Sequence, residues 1–180
     1  MMSKVNAYID GAFFQDGVRG QGMSMRMDLK ALVEELAGDG EVGEIHYFMN
    51  LSSEVQYPNR RKNDEKLMAR YEDQGLTVHI GRTEQKAQVF VDRGVDTRLS
   101  AKMMADAYAD KFDTALVISR RPDLEPAITA VREAGKTVNV SFFRFVVDPT
   151  NELEECCDNY AVLTNEQVIR HKIEGPQPNF

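Results

Sequence analysis

Three glycines each end a predicted helix where an apolar stretch begins, and this arrangement constrains the fold more than any other feature. The glycines are Gly38, Gly75 and Gly135. Glycine is favoured just past the last turn of a helix because it adopts the left-handed conformation without strain. A repeated order of helix, glycine and strand is typical of βα units around a mainly parallel sheet. We therefore predict a three-layer α/β fold, in which helices cover both faces of a mainly parallel central sheet.

Apolar periodicity places the individual elements. Leu99, Met103 and Ala107 recur at four-residue spacing and predict a helix, and the apolar run 114–118 after it predicts a strand buried on both faces. Further strands are predicted at 5–9, 45–49, 76–80 and 136–143, and further helices at 24–37, before Gly75 and before Gly135. The stretch that holds Gly17, Gly20 and Gly22 is predicted to be a loop.

Length and composition favour one soluble domain. The 180 residues are predicted to form a single domain at 1–163, followed by a polar C-terminal tail at 164–180 that frays. The formal net charge is −7, so any contact with nucleic acid must use a local basic patch. No apolar run is long enough to span a bilayer, and the N-terminus lacks the pattern of a signal peptide. We therefore expect a cytoplasmic protein with no membrane contact.

The residues that follow the predicted strand 114–118 are the strongest candidates for a ligand-binding or catalytic site. Ser119, Arg120, Arg121 and Asp123 follow it directly and supply a hydroxyl, two guanidinium groups and a carboxylate. Ligands of open α/β sheets bind in the crevice outside the carboxyl ends of the strands. The three histidines are expected to be structural or exposed rather than metal ligands, because histidine has many such settings.

Several short motifs occur together in a familiar order. They are Ile9-Asp10-Gly11, Arg93-Gly94-Val95-Asp96 with Leu99, the run from Asp113 to Asp123, Gly135-Lys136, and Thr150 to Leu163 with Asp158. This pattern resembles the NYN domain, a branch of the PIN-like nuclease superfamily that includes the LabA-like proteins. The resemblance runs from residue 5 to about residue 163. It implies a PIN-like, Rossmannoid fold and metal-dependent cleavage of RNA by a cluster of acidic residues.

The resemblance assigns the catalytic and metal-binding roles to Asp10, Asp96 and Asp123, which stand at matching positions. Mg²⁺ and Mn²⁺ prefer hard oxygen ligands, carboxylates above all. A metal held by carboxylates can activate a water and neutralise charge on the attacked phosphate. Mg²⁺ or Mn²⁺ is therefore the cofactor that the resemblance implies.

The acidic centre nevertheless departs from the family pattern. Phe13 stands where the family usually has Asn, and Lys102 and Arg121 stand where it usually has acids. Exchanging two carboxylates for two cations changes the charge of such a pocket by about four units, which is enough to favour anions over cations. Asp92 and Asp106 are expected to be exposed residues rather than substitutes for the missing acids.

Three interpretations follow, and the first two use the crevice directly. In the first, the protein is an active Mg²⁺- or Mn²⁺-dependent ribonuclease that uses the three aspartates. In the second, it is a pseudo-nuclease that binds RNA, a nucleotide or another phosphate-bearing ligand with lost or weak cleavage. The ligand-binding residues would then be Arg93, Lys102, Ser119, Arg120 and Arg121. The basic run 60–62 would extend the contact along an RNA backbone.

In the third interpretation, the substituted residues form salt bridges that stabilise a vestigial site. Arg121 would pair with Asp10 or Asp96, and Lys102 would pair with Asp123. The protein would then have a structural or assembly role. The sequence leaves open whether the chain forms a homodimer or a complex with another protein.

Overall fold

The structure, a computed structural model, describes residues 2–20, 22, 26–86, 89–143 and 152–173, with positions 83–86 and 89–93 described by their backbone alone. Within these residues the strands are β1 (Lys4–Asp10), β2 (Glu41–Met49), β3 (Thr77–Ile80), β4 (Arg82–Lys86), β5 (Val89–Arg93), β6 (Thr114–Ile118), β7 (Thr137–Phe142) and β8 (Asn159–Val162). The helices are α1 (Gly11–Gly20), α2 (Leu29–Ala37), α3 (Pro58–Asp73), α4 (Val95–Tyr108), α5 (Glu125–Glu133), α6 (Leu153–Cys156) and α7 (Asn165–Arg170).

Six strands form one parallel sheet in the order β3-β2-β1-β6-β7-β8. Strands β1 and β6 lie at its centre, and Ile9 pairs with Ile118. All five residues of β6 are buried, which agrees with its unbroken apolar sequence. The predicted mainly parallel central sheet is confirmed.

Two apolar cores fill the space between the sheet and the helices. One core packs β1 side chains such as Val5 and Ile9 against α1, α2, α3 and α7. The other packs the alternate side chains, such as Tyr8 and Val117, against α4, α5 and α6. Helices therefore cover both faces of the sheet, and the predicted three-layer α/β fold is confirmed.

The prediction of a glycine-rich loop is wrong at Gly17 and Gly20, because both belong to helix α1. Gly17 faces the core, and a Cβ atom at this position would overlap the ring of Phe143. Glycine at position 17 is therefore explained by the close approach of Phe143, and it does not break α1. Phe13 also packs against Phe143, with 5.9 Å between ring centroids.

Two further elements differ from the prediction. Residues between Gly81 and α4 form the antiparallel pair β4–β5, in which Arg82 is opposite Arg93. Helix α2 begins at Leu29 rather than near residue 24, because the side chain of Asp28 caps it by accepting a hydrogen bond from the Ala31 backbone N–H. The spacing of Asn151 and Glu154 in the sequence predicts a capping box at the start of α6, but Asn151 lies outside the described residues.

The predicted fraying after residue 163 is wrong for residues 165–170, which form α7. Thr164 and Gln167 make a reciprocal capping box at its start, and Val168 is buried in the core. Beyond the helix, Lys172 pairs with Met27 in an antiparallel bridge. Capping and burial together therefore hold this polar segment on the domain.

The crevice lies where the chain leaves neighbouring strands for opposite faces of the sheet. After β1 the chain continues into α1 on one face, and after β6 it continues towards α5 on the other. Such a switch point opens a gap at the carboxyl edge of a parallel sheet. Among the described helices, none is both long and apolar enough to cross a membrane.

Candidate functional site

Asp10 is the last residue of β1 and is fully buried at the edge of the sheet. Its Oδ1 accepts a hydrogen bond from the Phe13 backbone N–H at 3.1 Å, within the first turn of α1. Its Oδ2 accepts from Ser119 Oγ at 3.1 Å and from Arg121 Nε at 3.0 Å. The loop after β6 therefore delivers two donors to the end of β1.

Arg121 joins two carboxylates. While Nε binds Asp10, Nη1 donates to Asp96 Oδ2 at 3.0 Å. The Arg121 backbone N–H also donates to Ser119 Oγ at 3.2 Å, which fixes the turn after β6. The Arg121 side chain is nevertheless 46% exposed. We call Asp10, Asp96 and Arg121 the arginine cluster.

Asp96 lies in the first turn of α4, directly after Gly94 and Val95. Gly94 has a φ of 85°, a conformation that glycine adopts without strain and that starts the helix beside the crevice. Burial raises the pKa of Asp96, Arg121 opposes that rise, and the carboxylates of Asp10 and Asp123 add to it. Asp96 Oδ1 is buried and has no hydrogen-bond partner among the described residues.

The remaining predicted crevice residues have different surroundings. Asp123 is exposed in the short 3-10 turn that follows Arg121, close enough to affect the pKa of Asp96. Ser119 is fully buried, and Arg120 is half-buried with an interaction partner. The side chain of Arg93 lies outside the described residues.

The arginine cluster does not suit a divalent metal while Arg121 is in place. Its guanidinium nitrogens lie 3.0 Å from oxygens of both Asp10 and Asp96, so a positive charge already bridges the two acids. A cation added there would be repelled by the guanidinium and would have to displace its hydrogen bonds. The unpartnered Oδ1 of Asp96 offers a single protein ligand atom, so Mg²⁺ or Mn²⁺ would be held weakly there.

Lys102 is placed differently from the prediction, because it forms none of its ion pairs with Asp10, Asp96 or Asp123. Its Nζ lies 2.6 Å from Asp106 Oδ1 and 3.7 Å from Glu44 Oε2. The predicted pair of Lys102 with Asp123 is therefore wrong. The predicted pairing of Arg121 with Asp10 or Asp96 is present, and it involves both acids.

Asp106 is only 2% exposed, so the expectation of an exposed helix residue is also wrong. Its carboxylate accepts hydrogen bonds from Lys102 Nζ at 2.6 Å and from Tyr8 Oη at 2.9 Å, and Lys111 Nζ lies 3.2 Å away. These donors lower the pKa of Asp106 although burial raises it. We call Glu44, His46, Lys102, Asp106 and Lys111 the lysine cluster.

His46 links the lysine cluster to the sheet. Its Nε2 lies 3.1 Å from Glu44 Oε2, and its Nδ1 lies 3.2 Å from Nε2 of His79 on the next strand. Burial, the positive charge of Lys102 and the neighbouring His79 lower the pKa of His46 to about 4. His46 is therefore neutral at pH 7.

Glu44, His46 and Asp106 could also hold a metal ion, because one donor atom from each lies within 4.8 Å of the others. The donor set, two carboxylates and an imidazole, suits several divalent metals. Lys102 and Lys111 already neutralise the same carboxylates, so a metal would compete with two ammonium groups. The expectation that His46 is structural remains a prediction.

Sequence reasoning missed the lysine cluster, although one signal was available. Lys102 and Asp106 are four residues apart on α4, a spacing that places two side chains on the same face of a helix. Glu44 and His46 share one face of β2 because they are two residues apart. That these two faces meet depends on how α4 packs across the sheet.

A family model for the NYN domain matches residues 4–164. Among solved structures, the chain is similar to a protein of unknown function from Vibrio parahaemolyticus, with 14% identity, a TM-score of 0.66, and coverage of 92% of this chain and 95% of that chain. At this identity the likeness concerns the fold alone.

A second solved structure is a putative UDP-N-acetylglucosamine 2-epimerase from Listeria monocytogenes. It is 13% identical over 94% of this chain and 42% of that chain, with a TM-score of 0.43. This likeness is too weak to support an argument about fold or function. A search of curated proteins found no match.

Proposed function

The chain belongs to the NYN domain family and has a PIN-like nuclease fold, and from this we propose that it binds RNA or another phosphate-bearing ligand with lost or weak nuclease activity. The ligand would lie in the crevice at the C-terminal edge of the sheet. The observation that carries the proposal is the position of Arg121, hydrogen-bonded to both Asp10 and Asp96.

The first support is electrostatic. Asp10, Asp96 and Asp123 together with Arg120 and Arg121 have a formal charge of −1, because three carboxylates face two guanidinium groups. With an acid in place of Arg121, as in the family pattern, the same five positions would have a formal charge of −3. A nearly neutral crevice repels a phosphate far less than a strongly acidic one, and it attracts a divalent metal far less.

The second support is the free side of Arg121. Its hydrogen bonds to carboxylates use Nε and Nη1, and no described residue is hydrogen-bonded to Nη2. Because the side chain is half-exposed, Nη2 can donate to a phosphate oxygen from solvent. Arginine suits this role since its planar fork matches phosphate geometry while the two aspartates hold it in position.

A second function follows from the same contacts. Arg121 connects the ends of β1 and β6 to the start of α4. In this alternative the cluster stabilises the fold as a salt bridge and binds no ligand, and the protein has a structural or assembly role. The two functions differ in what Arg121 does for ligand binding, and they can be separated by experiment.

A metal titration tests the loss of the nuclease centre. Calorimetry with Mn²⁺ is run on wild type and on Arg121→Asp, which restores a carboxylate between Asp10 and Asp96. We expect Arg121→Asp to bind Mn²⁺ at least tenfold more tightly than wild type. The control Arg170→Asp makes the same change of charge on α7, where Arg170 pairs with Glu35, and it should bind as wild type does.

Tight Mn²⁺ binding by wild type that Asp96→Asn abolishes would contradict the proposal. It would favour the active ribonuclease, and Mn²⁺-dependent loss of an RNA substrate would then be expected. Binding that survives Asp96→Asn but is lost in Glu44→Gln would instead place the metal at the lysine cluster.

An RNA titration tests the binding itself. We expect wild type to bind RNA with an affinity that falls as salt rises, and Arg121→Gln to weaken that binding without cleavage. If Arg121→Gln lowers the melting temperature and leaves RNA affinity unchanged, the structural role is correct and the proposed binding is wrong.

A further inference from the structure

An exposed aromatic ring with a stacked guanidinium lies at the start of α3, the helix that follows β2. Tyr57 is 49% exposed, and Val55 just before it is almost completely exposed. The Arg60 guanidinium carbon lies 5.2 Å from the centre of the Tyr57 ring, which is a cation–π geometry. A tyrosine left in solvent with a cation on one face presents a flat, preformed surface for another planar group.

The topology places this pair on the same edge of the sheet as Asp10. Tyr57 and Arg60 follow β2, which lies directly beside β1 and runs parallel to it, and Phe48 of β2 pairs with Asp10. The segment between β2 and α3 is held to that helix, since the Ser52 backbone N–H donates to Asp64 Oδ2 at 2.8 Å. Tyr57 therefore lies on the β2 side of β1, and Arg121 lies on the β6 side.

A short basic run follows Tyr57, in contrast to the net negative charge of the whole sequence. Arg60, Arg61 and Lys62 form the only run of three Lys or Arg residues in a sequence with a net charge of −7. Arg61 pairs with Glu65 at 2.7 Å. Arg60 and Lys62 are exposed, and neither forms an ion pair with a described residue. Two positive charges are thus available for a polyanion.

We propose that Tyr57 and Arg60 form a stacking platform for one base of a single-stranded RNA, whose backbone contacts Lys62 and continues across the end of β1 to Arg121. This inference rests on the proposed function and names the form of RNA. Bases stack on tyrosine and on arginine planes with little dependence on sequence. A base in a double helix is already stacked on both sides, so the platform selects single strands.

Fluorescence anisotropy with a labelled oligouridine RNA tests the platform. We expect Tyr57→Ala to weaken binding roughly 5- to 150-fold, the range reported by alanine substitution for the loss of one stacked base. Tyr57→Phe keeps the ring and should bind within about twofold of wild type. The control Tyr108→Ala removes a tyrosine that is 70% exposed at the end of α4, and it should leave binding unchanged.

The outcomes separate this inference from the proposed function. If wild type binds no RNA, the platform is wrong and the proposed function is reduced to binding of another phosphate-bearing ligand. If Arg121→Gln weakens binding but Tyr57→Ala does not, the crevice binds RNA and the platform is wrong. Equal affinity of wild type for a duplex RNA of the same length also overturns the platform. Weaker binding in Tyr57→Ala, with Tyr57→Phe and Tyr108→Ala close to wild type, supports it.

Discussion

The arginine cluster and the lysine cluster both bring carboxylates together with basic side chains, but they differ in how completely the acids are satisfied. Asp106 of the lysine cluster is almost fully buried and is contacted by Lys102, Lys111 and Tyr8. Asp96 of the arginine cluster is half-buried, accepts from Arg121, and keeps one oxygen without a described partner. The pKa of Asp106 is accordingly lowered, and that of Asp96 is raised.

This contrast shows that pairing with a cation does not by itself decide how a carboxylate behaves. At Asp106 several donors outweigh the cost of burial, and the ionised carboxylate therefore stabilises the fold. At Asp96 one arginine, shared with Asp10, does not outweigh burial and two neighbouring negative charges. The features of the arginine cluster that favour a ligand site are therefore the unpartnered oxygen of Asp96 and the exposure of Arg121, and not a shifted pKa alone.

The largest expected effect is on stability, at the lysine cluster. Asp106→Asn removes the buried charge that Lys102, Lys111 and Tyr8 contact, so we expect the free energy of unfolding to fall by about 3 kcal/mol or more. Urea denaturation at pH 7 measures this change. The control Asp110→Asn removes an exposed acid that pairs with Lys136, and it should unfold close to wild type. Equal stability of the two variants would show that the buried carboxylate contributes nothing.

The next effect is a dependence of stability on pH that comes from His46. Its pKa falls from 6.5 to about 4 on folding, because burial, Lys102 and His79 disfavour the imidazolium. A lowered folded-state pKa means that the stability is complete above pH 6.5 and is lost as the pH falls through 4. The loss is about 3 kcal/mol, since one pKa unit corresponds to about 1.4 kcal/mol.

His46→Gln should remove this loss, which urea denaturation at several pH values between 7 and 4 would detect. The control His171→Gln changes the histidine that pairs with Glu35 at the end of α7. It should retain the pH dependence because His46 is intact. If the free energy of unfolding of His46→Gln depends on pH as steeply as that of wild type, groups other than His46 cause the pH dependence.

The smallest effect on the free energy of unfolding is expected for Asp96 in the arginine cluster. Because the folded-state pKa of Asp96 is raised, its contribution to stability is complete below its unfolded pKa and is lost as the pH rises through the folded pKa. At pH 7 the ionised group therefore no longer favours folding. We expect Asp96→Asn to change the free energy of unfolding by less than about 1 kcal/mol, or to raise it slightly. A loss as large as that of Asp106→Asn would remove the contrast between the clusters.

Local patterns were sufficient for the architecture but not for every element. The helix–glycine–strand order predicted the parallel sheet because a glycine with a positive φ ends a helix and lets the next strand begin. Gly75 and Gly135 have such positive φ values. The β4–β5 pair lacked such a signal. Helix α1 was missed because Gly17 was interpreted as a breaker, whereas its lack of a side chain accommodates Phe143 from a distant part of the chain.

The sequence by itself determined the fold class and placed Asp10 and Ser119 to Asp123 at one edge of the sheet, because parallel strands bring their carboxyl ends together. It did not determine which charges pair. Lys102 is six residues after Asp96, about 9 Å along α4 and roughly a third of a turn round from it, so the two side chains point to different neighbours. Helix spacing places Lys102 beside Asp106, but only the packing of α4 on β1 and β2 decided that Tyr8 and Glu44 meet this pair. Only the turn after β6 decided that Arg121 bridges Asp10 and Asp96.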